Sequence, residues 1–207
     1  MASLAAGEKV DFWFDPSCPW TWITSRWITE VATELPLSLT MHAFSLCHLN
    51  KDKDIPQSYR EHLESARLGA EVAAGVEKLA PARLTDFYTA LGTRHFVEEA
   101  PKDAAAARAA LQECGLPEEI VDRAAAGEFT DYLADSTEKA LSLVGEDVGV
   151  PIIATAGVAF FGPVISPAPH GAAAIKLWEG ALALAETPGF FELKRSRTTG
   201  PIFPSKK

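Results

Sequence analysis

Lys9-Val10-Asp11-Phe12-Trp13-Phe14-Asp15-Pro16-Ser17-Cys18-Pro19-Trp20-Thr21-Trp22 sets an apolar run, a thiol and the start of a helix side by side. Residues 9–14 are rich in β-branched and aromatic side chains and are closed by Asp15-Pro16, which reads as a buried strand entering a loop. Ser17 is the expected N-cap of the next element. Trp20, Ile23, Trp27, Ile28, Val31, Ala32 and Leu35 then recur at helical spacing until Pro36 ends the helix. A cysteine at such a helix start faces unpaired backbone N–H groups and the positive end of the helix dipole. That setting can bring a thiol from about 8.5 down to between roughly 3.5 and 7.5. The position where a dithiol motif would carry its second cysteine holds Thr21.

Outward from this stretch, residues 37–45 alternate as a second strand, expected to lie parallel to the first because a helix joins them. From about Pro56 to Ala126 the chain is rich in Ala, Glu and Arg, poor in strand formers and punctuated by Pro81, Pro101 and Pro117, which reads as several helices forming a lid. Residues 130–144 are helical, with Tyr132, Leu133, Ala140, Leu141 and Val144 expected inside. Residues 148–155 read as a turn leading into a strand, Ala156-Gly157 as a turn, and residues 158–161 as the strand that completes a hairpin. Residues 172–186 make a last helix before a Pro- and charge-rich tail. This element order is α/β and thioredoxin-like, with a helical insertion between the βαβ half and the hairpin half. The expected division is 1–55 and 130–190 for the thioredoxin-like domain, 56–129 for the inserted helical subdomain, and 191–207 for the tail.

A second feature supports Cys18 from far away in sequence. Pro151 heads a strand after a glycine-containing turn, and a proline there is ordinarily trans; paired with Cys18 in this element order, a cis bond after Val150 is expected instead. It would expose the Val150 backbone to an extended substrate lying beside the sulfur. Pro19, Trp20, Val150 and Pro151 are thus the expected substrate-binding residues, and Cys18 and Thr21 the catalytic ones. Two of these residues keep open readings. Thr21 either donates its hydroxyl to the thiolate or bonds only its own backbone or water. Trp20 is either a flat wall for substrate or, as its spacing favours, the first core residue of the helix stripe.

The formal net charge of -9 argues against a nucleic-acid surface and gives no reason to expect anionic lipid as a partner. Cys18, Cys47 and Cys114 are an odd, scattered set without disulfide or metal spacing, so a reducing compartment is expected. No secretory or transit signal is apparent over Met1 to Lys9, and no apolar run reaches membrane-spanning length; the expected location is the cytoplasm. Cys47 and Cys114 read as loop or core cysteines, and whether Cys47 resolves a disulfide at Cys18 stays open. His42, His48, His62, His95 and His170 have no ligand spacing, and no metal is expected.

Several segments together resemble a known family: residues 11–16, Cys18-Pro19-Trp20, residues 22–27, residues 144–149, residues 157–163, and Phe190-Phe191-Glu192-Leu193-Lys194-Arg195. They are similar to the actinobacterial mycothiol-dependent nitroreductases, a group in the DsbA-like branch of the thioredoxin superfamily. The resemblance covers nearly the whole chain. It implies a cytoplasmic, usually homodimeric oxidoreductase that uses mycothiol as reducing co-substrate and acts on certain nitroaromatic compounds. Members of that family commonly carry a second cysteine at the position of Thr21. With threonine there, no disulfide closes within the motif, and Cys18 is expected to work as a monothiol nucleophile in exchange with mycothiol and its mixed disulfides. The alternatives are a kappa-class-like glutathione transferase or isomerase, in which a hydroxyl activates a bound thiol, and a non-enzymatic thiol-binding module.

Overall fold

A computed structural model describes residues 7–204. The reading of Met1 to Ala6 as free of a targeting signal, and the last three residues of the expected tail, lie outside the described residues.

Strand β1 (Glu8–Phe14) runs into helix α1 (Pro19–Glu34), which returns to strand β2 (Leu37–Ala43). β1 and β2 are parallel, with Phe12 opposite Met41 and Phe14 opposite Ala43. The second strand stops two residues short of the expected Ser45. Phe44 N–H still donates to Phe14 O, but the Ser45 hydroxyl accepts from His48 N and starts a short helix, α2 (Leu46–Leu49), absent from the sequence-based expectation.

Four longer helices come next: α3 (Gln57–Leu79), α4 (Leu84–Phe96), α5 (Ala104–Glu113) and α6 (Glu119–Ala125), with a 3₁₀ turn at Pro81–Arg83. Helix α7 (Thr130–Val144) then leads to β3 (Ile152–Thr155) and β4 (Val158–Phe161), and α8 (Ala172–Ala185) closes the order. β3 starts after Pro151, so residues 148–151 stay outside the ladder. Ala156 and Gly157 both have positive φ, 50° and 77°, as a two-residue hairpin turn requires. The sheet order is β2-β1-β3-β4, with β3 antiparallel to β1.

Successive β1 side chains divide the core. Val10, Phe12 and Phe14 point to the face covered by α1 and α8, where Trp27 Nε1 donates to Ala174 O at 3.0 Å and ties those two helices together. Trp13 points the other way, into a smaller cluster with Phe44, Ala140, Leu141, Val150 and Ile152. The helices from α3 to α6 have no separate core: Tyr88 of α4 stacks on Phe14 of β1 with ring centroids 3.8 Å apart, and one apolar cluster runs through both. Helix α1 is therefore covered on two sides. Residues 21–25 are all buried, far more than the single stripe expected from spacing. In α7, Leu133, Ala140 and Leu141 are buried, while Tyr132 and Val144 are half-buried.

His42 joins three elements near the sheet edge. Its Nδ1 lies 2.7 Å from Glu77 Oε1 on α3 and its Nε2 2.9 Å from Asp11 Oδ1 on β1, while its ring stacks on Trp13. Burial alone would lower the His42 pKa, but the hydrogen bonds to Glu77 and Asp11 outweigh it and hold the pKa above 6.5. A raised folded pKa gives a stabilising contribution that is complete below the unfolded value and is lost as pH rises through the folded one. Thermal midpoints of the wild type should therefore decline as pH is raised from about 6 through the raised pKa, and His42→Gln should flatten that decline. An equal slope in both proteins would remove His42 as its source.

Candidate active site

The loop between β1 and α1 is built around Asp15. One carboxylate oxygen accepts from Ser17 N at 2.8 Å and from the Ser17 hydroxyl at 2.7 Å; the other accepts from Leu46 N at 2.7 Å. Asp15 thus ties the thiol loop to the start of α2, and Ser17 is bound to Asp15 instead of capping the helix. The N-cap is Cys18 itself, in extended conformation (φ -84°, ψ 112°) with no side-chain cap and Pro19 in the first helical turn. Ser17 is corrected on this point because its hydroxyl is already held by the buried carboxylate.

Cys18 is half-buried, and its thiol points at Val150 O, 4.0 Å away. The fold therefore brings together Cys18 and the strand-head backbone from 132 residues away. The Val150–Pro151 peptide bond is cis, as are Gly162–Pro163 and Ser166–Pro167. Cys18, like Leu46, Val144, Val148 and Ala154, packs against the smaller apolar cluster. Pro19 and Trp20 are half-buried. Trp20 is not a core residue: the core position is taken by Trp22, and the Arg197 guanidinium lies 4.8 Å from the centroid of the Trp20 ring.

Thr21 is fully buried (0% exposed), and its hydroxyl oxygen has no hydrogen-bond partner of ordinary geometry among the described residues. It nevertheless lies close enough to Cys18 to favour the thiolate, alongside the N–H groups of Thr21 and Trp20. The strongest influence opposes them. Burial pushes the Cys18 thiol above its ordinary 9.0, and the Asp15 carboxyl adds to the rise. The expectation of a depressed thiol pKa is corrected here, because desolvation outweighs the helix start. Burial also raises the Asp15 pKa, against the Ser17 and Leu46 hydrogen bonds and the Lys102 charge.

Lys102 joins the site without any signal in the sequence pattern. It reaches from the segment before α5 to donate to Ser17 O at 2.9 Å, and the charges of Asp15 and Cys18 partly offset the lowering of its pKa by burial. Tyr59, near the start of α3, also senses Cys18 and Asp15, which add to the rise in its pKa that burial causes. Asp15 is legible in part, since an aspartate two residues before an unpaired N–H is a turn signal; Lys102 depends on tertiary folding alone.

The remaining cysteines are placed elsewhere. Cys47 donates to Glu64 Oε1 at 3.2 Å, and burial together with Glu64 pushes its thiol up to about 11. Cys114 is buried at the end of α5. His48 pairs with Glu138 and His170 with Glu30, whereas burial lowers His95 to about 4.

A family model described as Rv2466c-like, mycothiol-dependent nitroreductase Rv2466c, matches residues 17–195, from the thiol loop to the tail. The chain belongs to this family. An Rv2466c-like chain is an oxidoreductase, and the match takes in Cys18, Thr21 and Val150-Pro151 together. The protein is also 30% identical over 196 residues to a Mycobacterium tuberculosis protein described as uncharacterized protein Rv2286c, covering 93% of this chain and 84% of that one. Among solved structures, a 2-hydroxychromene-2-carboxylate isomerase superposes with a TM-score of 0.61 at 14% identity, covering 84% of this chain and 94% of that one. Reduced DsbA from Mycobacterium tuberculosis superposes with a TM-score of 0.53 at 16% identity, covering 89% of this chain and 87% of that one. At these identities the structures establish the fold, which is DsbA-like and thioredoxin-related. Among the described residues no helix is long and apolar enough to cross a membrane.

Proposed function

We propose that this Rv2466c-like protein is a mycothiol-dependent thiol–disulfide oxidoreductase that works with one thiol, Cys18. The observation that carries the reading is the meeting of Cys18, at the head of α1, with Val150 O at the head of β3. A disulfide substrate lying across the pair would place a sulfur in line with Cys18 while its backbone-like groups bond Val150. Trp20 and Pro19 form the outer wall, and the buried Thr21 hydroxyl supports the negative charge on sulfur.

The mycothiol dependence of the family supports mycothiol, a hydroxyl-rich thiol, as the co-substrate. Val150 offers an acceptor, Trp20 a ring face, and the Lys102 ammonium is engaged by Ser17 O. Cys18 loses its proton, and its thiolate attacks a mixed disulfide RS–SR′. The Cys18–S–SR bond forms as the S–S bond breaks, and R′S⁻ leaves with the electron pair. An external thiol RSH, deprotonated, then attacks the Cys18 mixed disulfide, giving RSSR and returning the Cys18 thiolate. The net change is RSSR′ plus RSH to RSSR plus R′SH. Nitroaromatic reduction, the activity for which the family is named, would draw its two electrons from two thiols: ArNO₂ plus 2 RSH gives ArNO, RSSR and water. The helices between residues 56 and 129 cover the thiol loop, and we place the protein in the cytoplasm as a homodimer.

Reduced protein mixed with mycothiol disulfide should gain one mycothiol, and peptide mass spectrometry should place it on Cys18. Because the resting group is a raised thiol, adduct formation should quicken about tenfold per pH unit below its pKa. No adduct at Cys18, at any pH where the protein stays folded, would end this reading. The isomerase-like fold and the unpartnered Thr21 hydroxyl favour a second reading, in which the hydroxyl activates a bound thiol. Full turnover by Cys18→Ala would select it.

A further inference from the structure

We propose that the C-terminal segment 195–204 is a wall of the active site, strapped across it, with Arg197 as the positioning residue of Trp20. The segment has no helix or strand of its own, so its placement rests on side chains and a few backbone contacts. Arg197 lays its guanidinium 4.8 Å from the ring centroid of Trp20, a near neighbour of Cys18 in the chain. The Ser166 hydroxyl donates to Gly200 O at 3.1 Å and accepts from Ile202 N at 2.8 Å, which pins the segment to the loop after β4. Phe203 stacks on Phe96 of α4, ring centroids 5.3 Å apart and 21° from parallel.

These contacts fall on two different elements. Trp20 belongs to α1, whereas Phe96 belongs to the helices that cover it. Phe96 also carries Lys102 over its ring at 5.1 Å, and Lys102 donates to Ser17 O, directly before Cys18. A continuous set of contacts therefore runs from Phe203 through Phe96 and Lys102 to the thiol loop. A second runs from Arg197 through Trp20 to the first turn of α1. Within the strap only Pro201 and Phe203 are half-buried, so it is held at points, by Arg197, Gly200, Ile202 and Phe203, and not by burial along its length.

The strap limits approach to Cys18 and holds one Trp20 face against a cation, leaving the other for substrate. This rests on Cys18 being the group approached, but not on any particular thiol substrate. The test is the rate of Cys18 alkylation by iodoacetamide in the whole chain, read peptide by peptide. Arg197→Ala and Phe203→Ala should each raise the Cys18 rate about fivefold, the scale of losing one such ring contact. The double variant should react no faster than about either single one, because release at one point frees the strap. Arg197→Lys, which keeps a cation on the ring, should stay within about twofold of wild type. Unchanged rates would overturn the proposal, as would rates that multiply in the double variant. A parallel rise at Cys114, which the strap does not touch, would signal general unfolding and also overturn it. Iodoacetamide needs no mycothiol, so absence of a mycothiol adduct leaves this result readable.

Discussion

Thr21→Cys should convert the protein from a monothiol to a dithiol enzyme. Thr21 is buried in the first turn of α1, close enough to Cys18 for its hydroxyl to stabilise the thiolate. A cysteine there would attack the Cys18 mixed disulfide from within the same turn. A tethered, oriented thiol acts at an effective concentration far above what an external thiol reaches in solution. With external thiol at about 1 mM, the mixed disulfide should disappear at least roughly 100-fold faster than in the wild type. The oxidised variant should then hold an internal disulfide and no mycothiol. Acid-quenched mass spectrometry of the adduct over time measures both. An adduct of unchanged lifetime would mean that position 21 does not face the Cys18 sulfur.

The second large effect concerns the seat of α1. Gly92 of α4 presses on Trp22: a Cβ at Gly92 would lie within 2.5 Å of the Trp22 atoms Cε3 and Cζ3, closer than real Cβ atoms approach any neighbour. The indole has little room to yield. Arg26 sits 4.0 Å from its ring centroid, and Tyr88 meets it edge-on at 5.4 Å. Overpacking of this kind costs about 1–3 kcal/mol or more, against about 1 kcal/mol gained when alanine replaces glycine in a helix. We expect Gly92→Ala to lose about 2 kcal/mol, equivalent to a fall of roughly 4–8 °C in thermal midpoint for a chain of this size. Gly180→Ala is the control. It lies in α8 with nothing within 4 Å of the added Cβ, and should gain up to about 1 kcal/mol. A rise in midpoint for Gly92→Ala would show that α4 and α1 are not locked at this point.

Much of the thiol half is legible in the sequence because its signals are local. An apolar strand, a proline in the first turn of a helix and an apolar stripe specify β1 and α1 with little help from the rest of the chain. The Ala156-Gly157 turn marks the hairpin for the same reason. Trp22 escapes a reading by stripe because one stripe assumes one buried face, whereas α1 lies between the sheet and α4. The same assumption draws Trp20 inward, where the structure leaves it half-buried beside Arg197. Lys102 reaches the thiol loop from 85 residues away and Arg197 from the far end of the chain, and no spacing rule encodes such meetings. The direction of the Cys18 pKa differs from expectation on similar grounds: a motif reveals the helix start, but the burial around the thiol comes from packing against residues scattered along the chain, such as Phe44, Ala140 and Val150.

The central claim is that Cys18 is the one exchanging thiol and that an external thiol clears it. The direct test is the decay rate of the preformed Cys18–mycothiol adduct as a function of added mycothiol concentration. The expected rate is proportional to mycothiol and extrapolates to zero in its absence, because Cys47 is held by Glu64 with its thiol at about 11 and Cys114 is buried. A decay that proceeds at a fixed rate without mycothiol, with a new disulfide to Cys47 or Cys114, would contradict it.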